Sequence, residues 1–257
     1  MQKSEFPILE FDPTKKAVIE PSEHIEKIDM PANCVVTFFQ EVISKLKKEN
    51  RLEKLADIET ELGHMPVYEL YLEDTDNVTV FHPGIGAPLA AGMIEEVSAM
   101  GGKNFIACGG AGVLKKDIAV GNLIIPNAAV RDEGVSYHYV NPNRRELKPT
   151  KKALKSIEEA LSNQNIDYVL GKTWTTSSFY RETPDKVKLR RKEGCLTVEM
   201  ESAAFFAVAE FRGLEFAQIL YGGDDVSGDF WDDRSWAKRR SIRENIFWLA
   251  VKAVLNI

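Results

Sequence analysis

Three apolar runs of strand length in this chain end in glycines. Val78-Thr79-Val80-Phe81 leads to Pro83-Gly84-Ile85-Gly86-Ala87-Pro88. Asn104-Phe105-Ile106-Ala107-Cys108 leads to Gly109-Gly110-Ala111-Gly112, and Phe216-Ala217-Gln218-Ile219-Leu220-Tyr221 to Gly222-Gly223-Asp224-Asp225. Short apolar runs bounded by turn signals predict buried strands. After the first, Ala90, Met93, Ile94 and Val97 recur at helical spacing. Strand, glycines, helix is an arrangement that favours anions and places ligands at the carboxyl ends of strands. Residues 109–112 predict a second glycine loop, serving either a tight turn or close approach of a ligand. Gly84 and Gly86 superficially match a dinucleotide fingerprint, but the third glycine is missing and the strand before them closes a hairpin.

Similar alternation fills most of the chain. Residues 67–72 and 78–81 predict a hairpin across a polar turn at 73–77. Residues 121–126, 128–130 and 168–176 predict strands, and residues 151–161 and about 235–255 predict amphipathic helices. Pro184 stands near a further helix start. Val35, Phe38, Phe39, Val42, Ile43 and Leu46 predict a helix over 34–48, with lysines in its last turn. Ala17-Val18-Ile19 predicts a short strand, followed by a helical turn capped by Ser22. No repeat or linker interrupts the pattern, which predicts one α/β domain over 1–257.

Charge and cysteine usage narrow the function classes. With 33 basic and 39 acidic residues, a net charge of −6 argues against a nucleic-acid binder. Cys34, Cys108 and Cys195 are widely spaced and form no metal pattern, which predicts reduced thiols in a cytoplasmic protein with no metal. Residues 1–13 have no apolar core of a signal peptide. No apolar run approaches the roughly 20 residues that span a bilayer, so no membrane partner is expected.

The most informative residues are Thr197-Val198-Glu199-Met200-Glu201-Ser202-Ala203-Ala204. Two carboxylates flank a methionine at the mouth of an otherwise apolar helix. Either they merely favour the positive end of a helix dipole, or one of them faces a pocket and accepts hydrogen bonds from a polyol. Val198-Glu199-Met200-Glu201-Ser202-Ala203-Ala204 resembles the signature of the nucleoside phosphorylase-I superfamily, which includes uridine phosphorylases, hexameric-type purine nucleoside phosphorylases and nucleosidases. Residues 80–88, 109–112, 119–124, 130–134 and Phe179-Tyr180 extend the likeness over most of the chain.

The resemblance implies a central mixed sheet, partly closed as a barrel and flanked by helices, in a homo-oligomer, dimer or hexamer. It implies an enzyme of nucleoside salvage, a pentosyltransferase. The reaction would cleave a ribonucleoside, uridine favoured, with inorganic phosphate as co-substrate and no cofactor. Glu201, Met200 and Glu199 fall where the family holds ribose. Ala111, Gly112, Phe179 and Arg181 fall at the base, with Glu182 beside Arg181. Asp224, or the adjacent Asp225, falls near the aspartate that protonates a leaving purine. His24, Gly110 and Ala111 fall at the phosphate. A solvated acidic loop is the competing reading of Asp224, Asp225, Asp229, Asp232 and Asp233.

The family's phosphate arginines have no counterparts here. Glu20-Pro21-Ser22-Glu23-His24 stands for a Gly-Asp-Pro-x-Arg segment, Ala107 for a second arginine, and residues 59–63 contain no third. Either Arg131, Arg144, Arg145 or Arg181 substitutes, or water is the acceptor and the chain is a hydrolytic nucleosidase. A non-catalytic nucleoside-binding protein is the third alternative.

Overall fold

The computed structural model describes residues 3–257. Its strands are β1 (Asn33–Thr37), β2 (Leu52–Thr60), β3 (Gly63–Leu70), β4 (Val78–Phe81), β5 (Asn104–Val113), β6 (Leu123–Asp132), β7 (Glu146–Leu147), β8 (Tyr168–Thr176), β9 (Cys195–Glu199) and β10 (Glu215–Asp225). Its α-helices are α1 (Pro21–His24), α2 (Gln40–Lys48), α3 (Ala87–Met100), α4 (Ser136–Tyr139), α5 (Lys151–Ser162), α6 (Pro184–Lys192), α7 (Ser202–Arg212) and α8 (Arg240–Leu255).

All ten strands belong to one mixed sheet in the order β10-β6-β8-β9-β5-β1-β4-β3-β2, with β7 on β6. A further pairing of β10 with β5 closes five strands into a barrel. Apart from β7, the remaining strands β1, β4, β3 and β2 continue from β5 as an open flange. Closure depends on β5, which changes neighbours along its length. One edge follows β10 from Asn104 to Val113. The opposite edge pairs with β1 from Asn104 to Cys108, and with β9 at Gly112 and Val113. Residues 109–111 lie between those two partners, at the place where flange and barrel part.

Residues 109–112 are therefore strand and not loop. None of their glycines has a positive φ. Their smallness serves packing instead. A Cβ on Gly109 would lie 3.0 Å from the Phe38 ring, and one on Gly110 would lie 3.0 Å from the Tyr221 ring.

Two apolar layers cover the sheet. The α2, α5 and α8 side buries Phe39, Leu46, Ile157, Tyr221 and Phe247. The α3 and α7 side buries Met93, Phe105, Phe205, Phe206 and Phe216, with Phe205 stacked on Phe216 at 4.8 Å between ring centres. Every α7 residue from Ser202 to Ala209 is buried. Ala203, Ala204, Ala207 and Ala209 let this buried stretch of the helix lie close to its neighbours.

The predicted hairpin is the β3–β4 pair, Val67 opposite Phe81. The strand at 168–176 and the helix beginning at Pro184 also form. Four expectations need correction. The helix over 34–48 is β1 followed by α2, because a continuous apolar run fits the helical period by accident. Cys34, Val35 and Val36 are fully buried between β4 and β5. Ala17-Val18-Ile19 forms no strand, and Val18 is fully exposed. Ser22 lies inside α1, whose N-cap is Glu20 with Pro21 in the first helical position. Asp224 and Asp225 end β10 and do not belong to a solvated loop. Edge strand β2 escaped the sequence reading because its charges face water and blur the alternation. Among the described residues no helix is long and apolar enough to cross a membrane.

Candidate active site

The geometry starts where β9 passes into α7. A helix start leaves its first N–H groups without intrahelical partners. Here Glu199 supplies them. One of its oxygens accepts from the N–H groups of Glu201 at 2.7 Å and Ser202 at 2.6 Å. The other accepts from the Thr175 hydroxyl at 2.6 Å. Thr175 in turn accepts from the Ala203 N–H at 3.0 Å. Thr173 reaches the same Glu199 oxygen at 3.3 Å. Glu199 thus spends both oxygens inside the protein, on β8 and the first turn of α7. It fixes the corner from which Met200 and Glu201 project. Thr173 and Thr175 were not singled out in the sequence, although both sit at alternate positions of a predicted strand.

Glu201 is the N-cap residue of α7 and is 6% exposed. Its carboxylate accepts the Gly86 N–H at 2.6 Å. Gly86 is the N-cap of α3 and has φ +87°, a conformation that suits glycine. The first glycine segment therefore positions the acidic side chain across 115 residues of sequence. Burial pushes the Glu201 carboxyl up to about 8, the neighbouring Glu199 adds to this, and the amides of Gly86 and Met200 oppose it. Burial also raises Glu199. His82 stands on the same segment, its Nδ1 accepting from the Gly84 N–H at 3.0 Å, with its ring edge-on to Phe38. Burial holds this imidazole below its ordinary range.

A second group of acids lies at the barrel rim. Asp224 at the end of β10 is half-buried and accepts from the Trp231 indole N–H at 2.8 Å. Both its oxygens would lie 3.6 Å from a Cβ on Gly112, which pairs with Val198 on β9. Glu182 is half-buried, and burial followed by the negative charge of Asp224 pushes its carboxyl up to about 7. Phe179 and Tyr180, three and two residues earlier, have ring centres 4.1 Å apart and are largely exposed. Ala111 is buried in β5 beside Gly112, and Arg181 is exposed on the 3-10 turn Phe179–Arg181. The structure thus gathers Glu199, Met200 and Glu201 at one corner, and Gly112 with Asp224 at the adjoining rim.

His24 does not join either group. It is exposed on α1, whose preceding Glu20 holds Arg212 in the last turn of α7, at the far end of that helix from Glu201. Three of the four substitute arginines are engaged elsewhere, and the fourth, Arg181, is the exposed one on the 3-10 turn. Arg131 donates to the Ser136 hydroxyl and to the carbonyls of Val140, Asn141 and Arg144. Arg144 pairs with Glu210, and Arg145 with Glu193. Arg243 lies behind Gly110 through Tyr221, but Glu41 on α2 holds it at 2.7 Å.

The sequence profile of the phosphorylase superfamily matches residues 34–250. The chain belongs to this superfamily. The match begins at Cys34, at the start of β1, so residues 20–24 lie outside it. A guanosine phosphorylase of Halorubrum lacusprofundi is 31% identical over 157 residues, which cover 61% of this chain and 65% of that protein. A uridine phosphorylase of Thermococcus kodakarensis is 30% identical over 185 residues, covering 64% and 65%. The chain thus spans just under two thirds of the length of these two relatives. Among solved structures, uridine phosphorylase from Vibrio fischeri ES114 superposes with a TM-score of 0.73 at 25% identity, covering 90% of this chain and 94% of that one. The mixed sheet with its five-stranded closure is the nucleoside phosphorylase fold.

Proposed function

We propose that the chain cleaves the N-glycosidic bond of a ribonucleoside and transfers the pentosyl group to inorganic phosphate. The observation that carries this reading is Glu201, a buried carboxylate held at a helix start by the Gly86 amide. Two vicinal hydroxyls can donate to one carboxylate. Its negative charge then stabilises the cation that develops on the sugar as the bond to the base breaks. Met200 supplies an apolar wall, and Phe179 a face on which a base can stack. The phosphate would lie near residues 109–111, where the edge of β5 is left by β1 and not yet taken by β9.

A second reading, hydrolysis, is favoured by one specific observation. Of the four candidate arginines, Arg131, Arg144 and Arg145 are bound to other protein groups and Arg181 alone is left, while His24 lies apart. Anions usually need charged forks besides backbone N–H groups. Incubation of the protein with uridine, inosine, guanosine and adenosine, with and without phosphate, separates the readings. Phosphate-dependent release of base with ribose 1-phosphate supports transfer. Equal release in both buffers, with free ribose, replaces it by hydrolysis. Tight nucleoside binding without turnover in either buffer removes both.

A further inference from the structure

The segment that presents the Gly86 amide to Glu201 is itself tied down at its other end. His82-Pro83-Gly84-Ile85-Gly86 runs from the carboxyl end of β4 to the start of α3. Pro83 has no N–H to give. Gly84 donates its N–H to His82 Nδ1 at 3.0 Å, and Gly86 donates its N–H to Glu201 at 2.6 Å. Between them Ile85 is exposed, while Pro83, Gly84 and Gly86 are buried. Both glycines have positive φ, +79° and +87°. Leu89 fills the space beside Gly84, where a Cβ would lie 2.1 Å from the Leu89 Cδ2 atom. The arch therefore has no room to settle inward when its first hydrogen bond is lost. The imidazole is fixed as well. It stands edge-on to Phe38 at 5.8 Å between ring centres, and Phe38 lies against Phe205 of α7 at 6.4 Å.

We propose that His82 is a positioning residue for the pentose grip: by accepting the Gly84 N–H, it aims the Gly86 amide at Glu201. The proposal rests on the glycosidic-cleavage reading above. An imidazole nitrogen accepts a hydrogen bond only when it carries no hydrogen. His82 is therefore neutral, with its hydrogen on Nε2. A second hydrogen, on Nδ1, would set donor against donor and leave the buried Gly84 amide without its partner. The displaced peptide reaches Gly86 across one residue, and Glu201 then loses its amide. That amide favours the ionised carboxylate, the form that accepts from ribose hydroxyls. Few groups act on these two titrations. Burial and then the Phe38 backbone act on His82, and no charged side chain among the described residues does. On Glu201 the one charged neighbour is Glu199, and the amides of Gly86 and Met200 oppose it.

The test compares wild type, His82→Phe and His82→Asn, with phosphate present, on whichever of uridine, inosine, guanosine and adenosine the wild type cleaves fastest. Phenylalanine keeps a flat ring against Phe38 but accepts nothing. An asparagine side-chain oxygen can accept an N–H two residues on. His82→Phe is expected to lose roughly 10² of kcat/KM, the cost of a misplacement of about 1 Å. The limb of the pH profile that belongs to Glu201, at about 8 in the wild type, moves to higher pH in this variant. His82→Asn regains most of the rate and returns the limb. Phosphate titrates alike in all three assays and cancels. An unchanged kcat/KM in His82→Phe overturns the proposal. So does a loss with the limb unmoved, or an equal loss in both variants, since either makes His82 merely structural. Nitrogen-15 spectra of the wild type decide the matter without a variant, should His82→Phe not fold. A bare His82 Nδ1 at pH 8 supports the proposal, and a hydrogen there overturns it. No wild-type turnover of any nucleoside removes the cleavage reading and this proposal together, a result seen before any variant is made.

Discussion

Replacing Glu201 by glutamine tests the buried carboxyl without any substrate. Glu201 is 6% exposed, and its folded-state value is raised from 4.5 to about 8. A carboxyl raised on folding favours the folded protein when protonated. That contribution is fully present below the unfolded value of 4.5 and is lost as pH rises through about 8. Stability therefore falls by about 1.4 kcal/mol per pH unit across this window, from Glu201 alone. Integrated from about pH 5 to pH 8, the loss is roughly 3–4 kcal/mol. Glutamine keeps the shape and does not titrate, so Glu201→Gln gains on the wild type by that amount over the same range. Glu199 is present in both proteins and largely cancels. Urea unfolding at pH 5, 6.5 and 8, followed by far-ultraviolet circular dichroism, reads the difference. With a urea slope of about 3 kcal/mol per molar, the gap between midpoints moves by about 1 M. A gap that stays constant with pH would show that Glu201 is ionised in the folded protein, and the assigned burial would be wrong.

Nucleoside binding should tighten as pH rises toward about 8, with proton release, because ribose hydroxyls favour the ionised Glu201; calorimetry in buffers of different ionisation enthalpy measures this, and pH-independent affinity counts against ribose at Glu201. Gly86→Ala forces a Cβ onto a residue at φ +87° and shifts the amide that holds Glu201; a stability loss of about 1–2 kcal/mol with a larger fractional loss of kcat/KM is expected from melting and kinetics together. Thr175→Val leaves the Ala203 N–H and a Glu199 oxygen short of a partner, at a cost of about 1–3 kcal/mol in urea unfolding. Gly110→Ala drives a methyl to 3.0 Å from the Tyr221 ring, and about 1–3 kcal/mol of overpacking should appear as a lower urea midpoint; an unchanged midpoint would remove the packing explanation for that glycine.

Local signals made much of the fold legible. The hairpin of β3 and β4, strand β8, helix α5 and the helix after Gly86 each follow from periodicity and from glycine or proline placed nearby. The same signals failed where one short run fits two periods. Residues 34–36 are apolar on every face, and only flanking β4 and β5 decide that they extend. In the candidate site, Glu201 was legible because an acid beside an all-apolar helix start is conspicuous. Its holder, Gly86, was legible as a glycine segment but not as a partner. Arg131 looked like a possible anion ligand, yet three carbonyls and a hydroxyl take up its guanidinium.

The sequence by itself determined that strands and helices alternate, and that two glycine segments and one acidic helix start are available to bind. Those properties depend on side-chain spacing within a dozen residues. Tertiary structure decided that residues 109–112 are strand, because β10 pairs with 109–111, β9 takes Gly112, and aromatic rings need the room. It also brought Gly86 to Glu201, 115 residues apart, and left His24 at the opposite end of α7 from Glu201. Pairings across such distances depend on how the barrel closes, and no local pattern carries that information.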